Sequence, residues 1–279
     1  MISRALAALG FAALAGCATP VPPVGPLDAS VSGALEFRAT DRLTLSGTLA
    51  FPAAAAPVPA VVLMHGCNGI GASVRGWERE LRRWGYATFV VDSLRGRGLR
   101  EVCVGGGLAS EERTGDAYAA LVVLATHPRI AATRIALMGF SHGGGTALVA
   151  AIPSVAAGHV PAGGPRFRAF IAFYPSCRRQ LPGAPVAAPL RVHIGGLDDW
   201  TPARPCEELA VLLAGRGADV GIVVYPDAHH GFDAVGGVAY RYLADVRSPR
   251  GRGASVGYSP DATRAARVNV RAELAALLK

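Results

Sequence analysis

The stretch Arg134–Ala150, RIALMGFSHGGGTALVA, decides the fold of this chain. Its apolar run Ile135–Met138 predicts a buried strand, and residues 139–143 then form a G-x-S-x-G turn. The small, apolar residues 144–151 predict a helix packed inside the protein. A strand, a tight glycine-flanked turn and a helix in this order present the central residue, Ser141, as a nucleophile. The alternative is a glycine-rich turn that happens to contain a serine.

Length and composition indicate one large α/β domain. The chain has 279 residues, of which 51% are hydrophobic and 17% are charged, and this length suits a single domain of that class. The formal net charge of +8 raises the question of nucleic-acid binding. However, the arginines are scattered, and their small clusters at 95–100 and 247–252 contain no interleaved aromatic residues. We therefore interpret the charge as a solvated basic surface and expect no nucleic-acid partner.

The first residues resemble a bacterial lipoprotein signal. The basic segment Met1–Arg4 precedes the apolar segment Ala5–Ala15, which is too short to anchor a protein permanently across a bilayer. The sequence Leu-Ala-Gly-Cys that ends at Cys17 predicts cleavage before this cysteine and attachment of lipid to it. An ordinary secretory signal cut nearby is the alternative. Both signals predict an exported, periplasmic protein, and Ala18 after the cysteine favours the outer membrane.

The chain is divided accordingly into three parts. Residues 1–16 are interpreted as a lipoprotein-type signal peptide, 17–34 as a Pro-rich tether and 35–279 as the α/β domain. Contact with a membrane is expected only through the N-terminal lipid.

Export gives the remaining cysteines a role. The four that follow Cys17 are Cys67, Cys103, Cys177 and Cys206. An even number in an oxidising compartment predicts two disulfides, which have three possible pairings. We prefer Cys67–Cys103 and Cys177–Cys206, because each pair would link loops that follow neighbouring strands; buried free thiols are the alternative. No His/Cys cluster has metal-ligand spacing, so we expect no metal site.

Strands and helices alternate along the domain after an antiparallel hairpin predicted at 35–38 and 43–51. The further predicted strands are 60–64, 87–91, 135–138, 168–173, 190–194 and 220–225, and the further helices are 74–84, 110–125, 203–216 and 260–278. Residues 153–165 are expected to form a loop and 234–259 to be irregular, and Ser259 or Asp261 is expected to start the last helix. This order predicts a mostly parallel sheet with helices on both faces.

A serine nucleophile needs a base and an orienting acid, and both should follow strands downstream of the turn. The segment GGLDDWTP, residues 195–202, follows the predicted strand 190–194. The segment YPDAHHGF, residues 225–232, follows the next strand. An acid and a histidine therefore occur in the required order.

These motifs together resemble the dienelactone hydrolase family of α/β-hydrolases. The resemblance rests on G-x-S-x-G, on the G-x-x-D-D-W-T-P loop and on H-G-F, and it covers about Leu35–Leu278. It implies an eight-stranded sheet, no cofactor, and hydrolysis of small-molecule esters or lactones through an acyl-enzyme. By position it implies Ser141 as nucleophile, Asp198 as the orienting acid and His230 as the base.

Each implied residue has a neighbour of the same type or a rival nearby. Asp199 adjoins Asp198 and His229 adjoins His230, and the motif contexts favour Asp198 and His230. The other candidates are given structural roles: His142 as an elbow-flanking side chain, His65 as a histidine beneath the oxyanion loop, and Asp92 as an organiser of its own loop.

Two backbone N–H groups are expected to bind the tetrahedral oxyanion. One belongs to His142, directly after the nucleophile, and alignment of the H-G-C-N-G segment points to Cys67 for the other. A disulfide at Cys67 would then fix the oxyanion loop.

The chain departs from the family in two respects that bear on substrates. The best-known dienelactone-cleaving members carry a cysteine nucleophile, where this chain has Ser141. They also bind the substrate carboxylate with an arginine that corresponds to about Ala234 here, and Arg95 or Arg97 is left as the candidate for another such contact. A broader carboxylester hydrolase is therefore expected.

Apolar residues of the pocket are proposed as Phe140, Trp200 and Phe232, with core packing as the alternative for each. Two other functions compete with the esterase. One is a peptidase or acyltransferase, and the other is a non-catalytic, envelope-anchored binding lipoprotein on the same fold.

Overall fold

The computed structural model describes residues 25–40, 42–55, 57–178 and 185–279. Eight strands form the main sheet: β1 (Gly33–Thr40), β2 (Leu43–Ala50), β3 (Val58–Met64), β4 (Ala87–Asp92), β5 (Ile130–Phe140), β6 (Ala169–Phe173), β7 (Leu190–Gly195) and β8 (Val220–Tyr225). Their order is β1-β2-β4-β3-β5-β6-β7-β8. Strand β2 pairs antiparallel with β1 and β4, and every other pairing is parallel. The predicted eight-stranded, mostly parallel sheet is confirmed.

In the described part of the chain, six α-helices accompany the strands: α1 (Ala72–Arg83), α2 (Thr114–Ala125), α3 (His142–Ala150), α4 (Pro153–His159), α5 (Ala203–Ala214) and α6 (Pro260–Leu277). Helices α1 and α6 meet through Arg267 and Glu80, and α2, α3 and α4 contact one another. Every residue of β6 is buried. A parallel strand is buried in this way when helices cover both faces of its sheet, which is why β6 reads AFIAF without alternation.

The antiparallel edge of the sheet has a different sequence pattern. In β1 and β2, buried residues alternate with exposed or half-buried ones toward the end of each strand. Such alternation is typical of a strand with one solvated face. This alternation is the reason that the β1–β2 hairpin could be predicted from the sequence.

A second, two-stranded sheet corrects the prediction for residues 234–259. Strands β9 (Arg241–Ser248) and β10 (Gly251–Val256) form an antiparallel hairpin where irregular structure was expected. Strand β9 is mostly exposed, β10 buries three consecutive residues, 253–255, and the register shifts between Arg252 and Ala254. No clean alternation of apolar residues therefore marks the hairpin in the sequence.

One helix was not predicted, and the start of another differs from prediction by four residues. Helix α4 forms at the start of the segment 153–165, which was expected to be a loop. Its Pro153 lies in the first turn, where proline is compatible with a helix. Helix α2 starts at Thr114, after turns at 110–113, and not at Ser110. Helix α6 starts as predicted, with the Ser259 hydroxyl accepting a hydrogen bond from the Ala262 N–H at 3.3 Å.

The predicted signal peptide, the lipidation site Cys17 and the first part of the tether lie outside the described residues. Within the described ranges, none of the helices combines the length and the apolarity that a membrane crossing requires.

Candidate active site

The G-x-S-x-G segment forms a sharp turn between β5 and α3. Ser141 has φ 53° and ψ −111°, and its N–H donates to the Phe173 carbonyl at 2.9 Å. A positive φ at a residue with a side chain costs about 1–3 kcal/mol. The backbone is therefore strained at the residue that the motif presents.

The two glycines of the motif are required by close backbone approach. A Cβ atom at Gly139 would overlap the Gly143 carbonyl, and one at Gly143 would overlap the Met64 carbonyl. Any larger residue would force the strand, the turn and the neighbouring strand apart. The pattern is thus explained by packing as well as by chemistry.

Three side chains from three loops form a continuous hydrogen-bonded chain at this turn. His230 Nε2 lies 2.8 Å from the Ser141 hydroxyl, and His230 Nδ1 lies 2.8 Å from Asp198 Oδ2. Because an ionised carboxylate only accepts, Nδ1 carries the proton and Nε2 is free to accept from the serine. His230 and Asp198 are each 4% exposed.

Further hydrogen bonds orient the Asp198 carboxylate. Its Oδ1 accepts from the N–H groups of Trp200 and Thr201 at 3.0 and 2.8 Å. Its Oδ2 accepts from the Thr201 hydroxyl at 3.0 Å as well as from His230. The carboxylate thus has a fixed plane, which fixes the direction of the imidazole.

The rival residues Asp199 and His229 lie elsewhere. Asp199 accepts from the N–H and hydroxyl of Ser255 at 2.7 and 3.0 Å, which ties its loop to β10. The His229 Nδ1 lies 3.2 Å from the Leu197 carbonyl, and its ring contacts that of Tyr240. The structure therefore places Asp198 and His230, and not their neighbours, in line with Ser141.

Two aromatic rings enclose the His230 imidazole. The ring centroids of Tyr174 and Trp200 lie 4.6 and 4.7 Å from that of His230. Trp200 also donates from Nε1 to the Arg247 carbonyl at 2.8 Å, and so joins the site to the β9–β10 hairpin. The role of Tyr174 was not visible in the sequence, because nothing in its local pattern distinguishes it from a core residue.

A buried carboxyl group, Asp233, supports the loop that carries His230. It accepts hydrogen bonds from the Tyr174 hydroxyl at 2.7 Å, Trp77 Nε1 at 2.7 Å and the Ser73 hydroxyl at 2.9 Å. Burial raises the pKa of Asp233, and the three donated hydrogen bonds oppose that rise. The loop is thereby attached to α1 and to the end of β6.

The segment after β3 lies against the nucleophile. A Cβ built on Gly66 would lie 3.7 Å from the Ser141 Cβ, and both Cys67 and Ser141 line the same cavity. The His142 N–H stands at the first position of α3, where no intrahelical acceptor exists. Cys67 and His142, the two predicted oxyanion residues, thus lie on the two segments next to Ser141.

The described residues contain two disulfides, Cys67–Cys103 and Cys177–Cys206, which is the pairing that we preferred. Cys67 belongs to a small apolar cluster with Leu94, Val102 and Leu108. The Cys67 carbonyl also accepts from the Val102 N–H at 2.8 Å. The first disulfide thus holds the segment beside Ser141 against the loop that follows β4.

Loss of the first disulfide is expected to reduce activity more than loss of the second. The bridges span 36 and 29 residues, so Cys103→Ala and Cys206→Ala should each cost a similar amount of stability, about 2–5 kcal/mol. Only Cys103→Ala should also lower kcat, by about tenfold, because it loosens the segment of Cys67. Thermal unfolding and steady-state kinetics of the two variants would test this, and equal kcat values would contradict it.

Two neutral histidines lie beneath the site. His65 Nε2 accepts from the Ser93 N–H at 3.2 Å, and its Nδ1 lies 2.6 Å from the Gly66 carbonyl. His142 Nε2 lies 3.0 Å from the Leu108 carbonyl. Burial, and then the nearby Arg113 cation, lower the pKa of His65 to about 3 and that of His142 to about 4.

The free energy of unfolding is expected to fall as the pH drops from about 6.5 toward 4. The unfolded histidines bind protons near their ordinary value of 6.5, whereas the folded ones stay neutral until about 3 and about 4. As the pH is lowered, the free energy of unfolding falls wherever the unfolded state binds more protons than the folded state. Above pH 6.5 both histidines are neutral in both states, so they do not make stability depend on pH there. Denaturant titrations at several pH values should show a shallower decline for His142→Asn, and an unchanged slope would contradict the argument.

The cavity at Ser141 has a volume of about 340 Å³. Of the predicted lining residues, Phe140 and Trp200 border it, whereas Phe232 is fully buried among Phe173, Tyr174 and Tyr225. Phe232 is therefore a core residue, as its alternative interpretation held. Arg241, at the start of β9, is the permanently charged residue among the described residues that line the cavity.

The other predicted substrate contact, Arg95, does not border this cavity. It lines a separate depression with Asp92, 3.8 Å from that carboxylate, and its side chain is 88% exposed. Arg97 is bound to Asp116 at 2.7 and 2.9 Å. Asp92 itself accepts from the N–H groups of Leu94 and Arg95, which agrees with a loop-organising role.

The residues that the structure describes provide no set of side chains that could bind a metal ion. No group of three or more His, Cys, Asp or Glu side chains is arranged there to hold an ion.

Comparison with known families agrees with this geometry. The model of the dienelactone hydrolase family matches residues 45–248, which is well over half of the chain. The chain belongs to the dienelactone hydrolase family. The strand, turn and helix around Ser141 lie in the middle of the matched region.

Relatives of this dienelactone hydrolase family member are distant in sequence. A Bradyrhizobium protein named "Probable 2-oxo-3-(5-oxofuran-2-ylidene)propanoate lactonase" is 24% identical over 215 residues, which cover 70% of this chain and 82% of that protein.

Solved structures share the fold. A dienelactone hydrolase-like promiscuous phosphotriesterase from metagenomic libraries is 18% identical, with a TM-score of 0.67 and coverage of 90% of this chain and 100% of that chain. A thermophilic esterase from Thermogutta terrifontis is 15% identical, with a TM-score of 0.64 and coverage of 89% and 95%.

Proposed function

We propose that this protein is a serine hydrolase that cleaves carboxylic esters or lactones through an acyl-enzyme. The observation that carries the proposal is the continuous hydrogen-bonded chain from Ser141 through His230 to Asp198 at a strained turn. Membership of the dienelactone hydrolase family supports the same reaction class. A binding lipoprotein or a peptidase is not favoured by any of these contacts.

The first half-reaction follows from the positions of the three side chains. The Ser141 oxygen attacks the substrate carbonyl carbon while His230 Nε2 takes the hydroxyl proton. The carbonyl oxygen becomes an anion, and the imidazolium is stabilised by Asp198. The tetrahedral intermediate then expels the alcohol oxygen, which receives the proton from His230, and an acyl-Ser141 ester remains.

The second half-reaction repeats these steps with water. His230 removes a proton from the water as the water oxygen attacks the acyl carbon. The second tetrahedral intermediate expels Ser141, which regains its proton from His230, and the carboxylic acid is released. With a lactone, the alcohol and the acid are parts of the same product.

The oxyanion of both intermediates would be bound by the N–H groups of Cys67 and His142. This proposal is supported by Cys67, on the segment after β3, bordering the same cavity as Ser141, and by His142 following Ser141 at the N-terminus of α3. Donors held in place before the reaction stabilise developing negative charge without reorganisation.

Covalent labelling would test the nucleophile and its base. A fluorophosphonate probe reacts with an activated serine, and peptide mass spectrometry would locate the adduct on Ser141. His230→Ala should abolish the labelling, whereas His229→Ala, the adjacent control, should retain it. A folded protein that carries no adduct would refute the hydrolase proposal.

The substrate is proposed to carry a negative charge beside the scissile bond. Arg241 borders the cavity, and the Bradyrhizobium relative is named for a lactone that bears a propanoate group. A guanidinium binds a carboxylate through two parallel hydrogen bonds. The arginine that the family places near position 234 would thus be replaced by one on β9.

Arg241→Gln is expected to raise KM for an ester with a carboxylate on its acyl group by about tenfold, because one charge-assisted contact is lost. KM for a neutral ester of the same length should change by less than about twofold. Arg250→Gln removes a charge from the same hairpin outside the cavity and is the matched control. Parallel steady-state assays would measure this, and an equal change for both esters would count against the charge.

The two disulfides indicate an exported protein. We extend this to attachment of lipid at Cys17 and location at the outer membrane. Cys17→Ser should move the protein from the membrane fraction to the soluble fraction of fractionated cells, and an unchanged distribution would refute the anchor.

A further inference from the structure

One buried arginine contacts both segments that carry the proposed oxyanion donors. Arg113 directly precedes α2 and is 0% exposed. Its Nη1 donates to the His65 carbonyl at 2.9 Å and to His142 Nδ1 at 3.0 Å. His65 lies two residues before Cys67, and His142 carries the second donor itself.

The partners of this guanidinium are neutral. A carbonyl and an imidazole accept its protons, and the imidazole is uncharged at neutral pH because its pKa is lowered to about 4. Asp116 is the principal carboxylate acting on Arg113, but it is bound by Arg97 at 2.7 and 2.9 Å. Asp92 acts more weakly. Burial lowers the pKa of Arg113 to about 10, so the side chain remains a cation at neutral pH.

A cation in this position is costly to bury. Desolvation of a charge is normally offset by a hydrogen-bonded carboxylate, and among the described residues Arg113 Nε has no hydrogen-bond partner at all. A neutral side chain could fill the volume without that cost. The two hydrogen bonds from Nη1 are therefore explained better by a role in function than by a contribution to stability.

We propose that Arg113 is a positioning residue for the hydrolysis, because its guanidinium ties the His65–Cys67 segment to His142 so that their N–H groups converge on one oxyanion. The inference rests on the proposed function. Both hydrogen bonds leave Nη1, whose two N–H bonds lie in the guanidinium plane. The rigid plane therefore fixes both directions at once, which a lysine ammonium on a flexible stem does not do. The positive charge beneath both segments also favours the anionic tetrahedral state.

This role has a kinetic signature that a purely structural role lacks. The oxyanion exists in the tetrahedral state and not in the bound ester, so misplacement of its donors lowers kcat and leaves KM nearly unchanged. It should also weaken a ligand that mimics that state. A boronic acid is such a ligand: the Ser141 oxygen bonds to boron, its proton passes to His230, and the boronate carries one negative charge.

The test compares full-length Arg113→Met and Arg113→Lys with wild type and with Arg134→Met. Arg134 donates to the Leu278 carbonyl at 2.7 Å, at the far end of β5, and is the control for loss of a guanidinium–carbonyl contact. The measurements are kcat and KM for p-nitrophenyl acetate, the inhibition constant of phenylboronic acid, and the melting temperature.

Arg113→Met is expected to lower kcat by about 100-fold and to weaken phenylboronic acid by a similar factor, with KM within about threefold. Arg113→Lys should recover less than a tenth of wild-type kcat, and Arg134→Met should change kcat and inhibition by less than about threefold. Wild-type kcat and boronate affinity in folded Arg113→Met, or full recovery in Arg113→Lys, would overturn the proposal.

If Arg113→Met fails to fold, His142→Leu replaces it. This change removes one of the two contacts and keeps the backbone N–H, so kcat and boronate affinity should fall together by about tenfold. Wild-type values would overturn the proposal. Fluorophosphonate labelling of Ser141 in the wild type separates the two hypotheses. If Ser141 is not labelled, the hydrolase proposal fails. If Ser141 is labelled but the variants keep wild-type kcat and boronate affinity, only the positioning role of Arg113 is refuted.

Discussion

Ser141→Ala is expected to lower kcat for ester hydrolysis by about a million-fold, since removal of the nucleophile of a serine–histidine–aspartate unit costs roughly that much. The alanine leaves His230 and Asp198 in place, so their mutual hydrogen bond at 2.8 Å should persist. The residual rate should be that of direct attack by water on the bound substrate. Single-turnover assays at high enzyme concentration would measure it.

A second serine in the same cavity supplies the control. Ser73 lines the pocket but donates its hydroxyl to Asp233, whereas the hydroxyl at His230 Nε2 is that of Ser141. Ser73→Ala should keep kcat within about tenfold of wild type. If the two variants had similar rates, the reaction would not use the Ser141 oxygen.

Asp198→Asn is expected to lower kcat by about ten-thousand-fold, because an amide in place of the carboxylate favours the wrong tautomer of the histidine. With Asn at this position, the amide can donate to His230 Nδ1, and the proton of the ring then moves to Nε2. Nε2 can no longer accept from the Ser141 hydroxyl, 2.8 Å away. The fold should survive, because the substitution conserves shape.

The adjacent residue makes this prediction sharp. Asp199→Asn changes the same atoms one position along the chain, where the carboxylate holds the Ser255 N–H and hydroxyl. It should cost about 1–3 kcal/mol of stability and little activity. Urea unfolding and kcat of both variants would separate the roles, and a reversed pattern would assign the orienting acid to Asp199.

The sequence was most informative where function requires a local motif. The strand, the G-x-S-x-G turn and the order of acid and histidine are dictated by short-range geometry, so Ser141 and its two partner loops could be located. Neighbouring residues of one type, such as Asp198 and Asp199, differ only in the direction of their side chains. That direction depends on the turn, so the preference for Asp198 rested on the motif context and not on any difference between the two residues.

The sequence was least informative where a role depends on long-range packing. Arg113 appears in the sequence as a residue near a helix start, and its contacts with His65 and His142 arise from segments 48 and 29 residues away. Phe232 follows the histidine motif directly, yet it faces the core. Arg95 follows a strand end in the expected way, but its loop turns it to solvent.

The β9–β10 hairpin was missed for a related reason. An exposed strand, a partner with three consecutive buried residues and a shifted register produce no alternation of apolar residues. Residues 234–259 also contain several glycines and arginines that suggest irregular structure. Its position is fixed instead by contacts with other loops, such as Asp199 with Ser255 and Trp200 with the Arg247 carbonyl.

Residues of the β9–β10 hairpin can therefore be substituted without changing Ser141, His230 or Asp198. The hairpin is attached to the loops of Asp198 and His230, but it supplies none of the three side chains of the proposed triad, and it lies outside the main sheet. Arg241, Leu243 and Val256 of this hairpin border the cavity. Recombination or directed evolution confined to these three positions would generate hydrolases with new substrate preferences from one unchanged reaction centre.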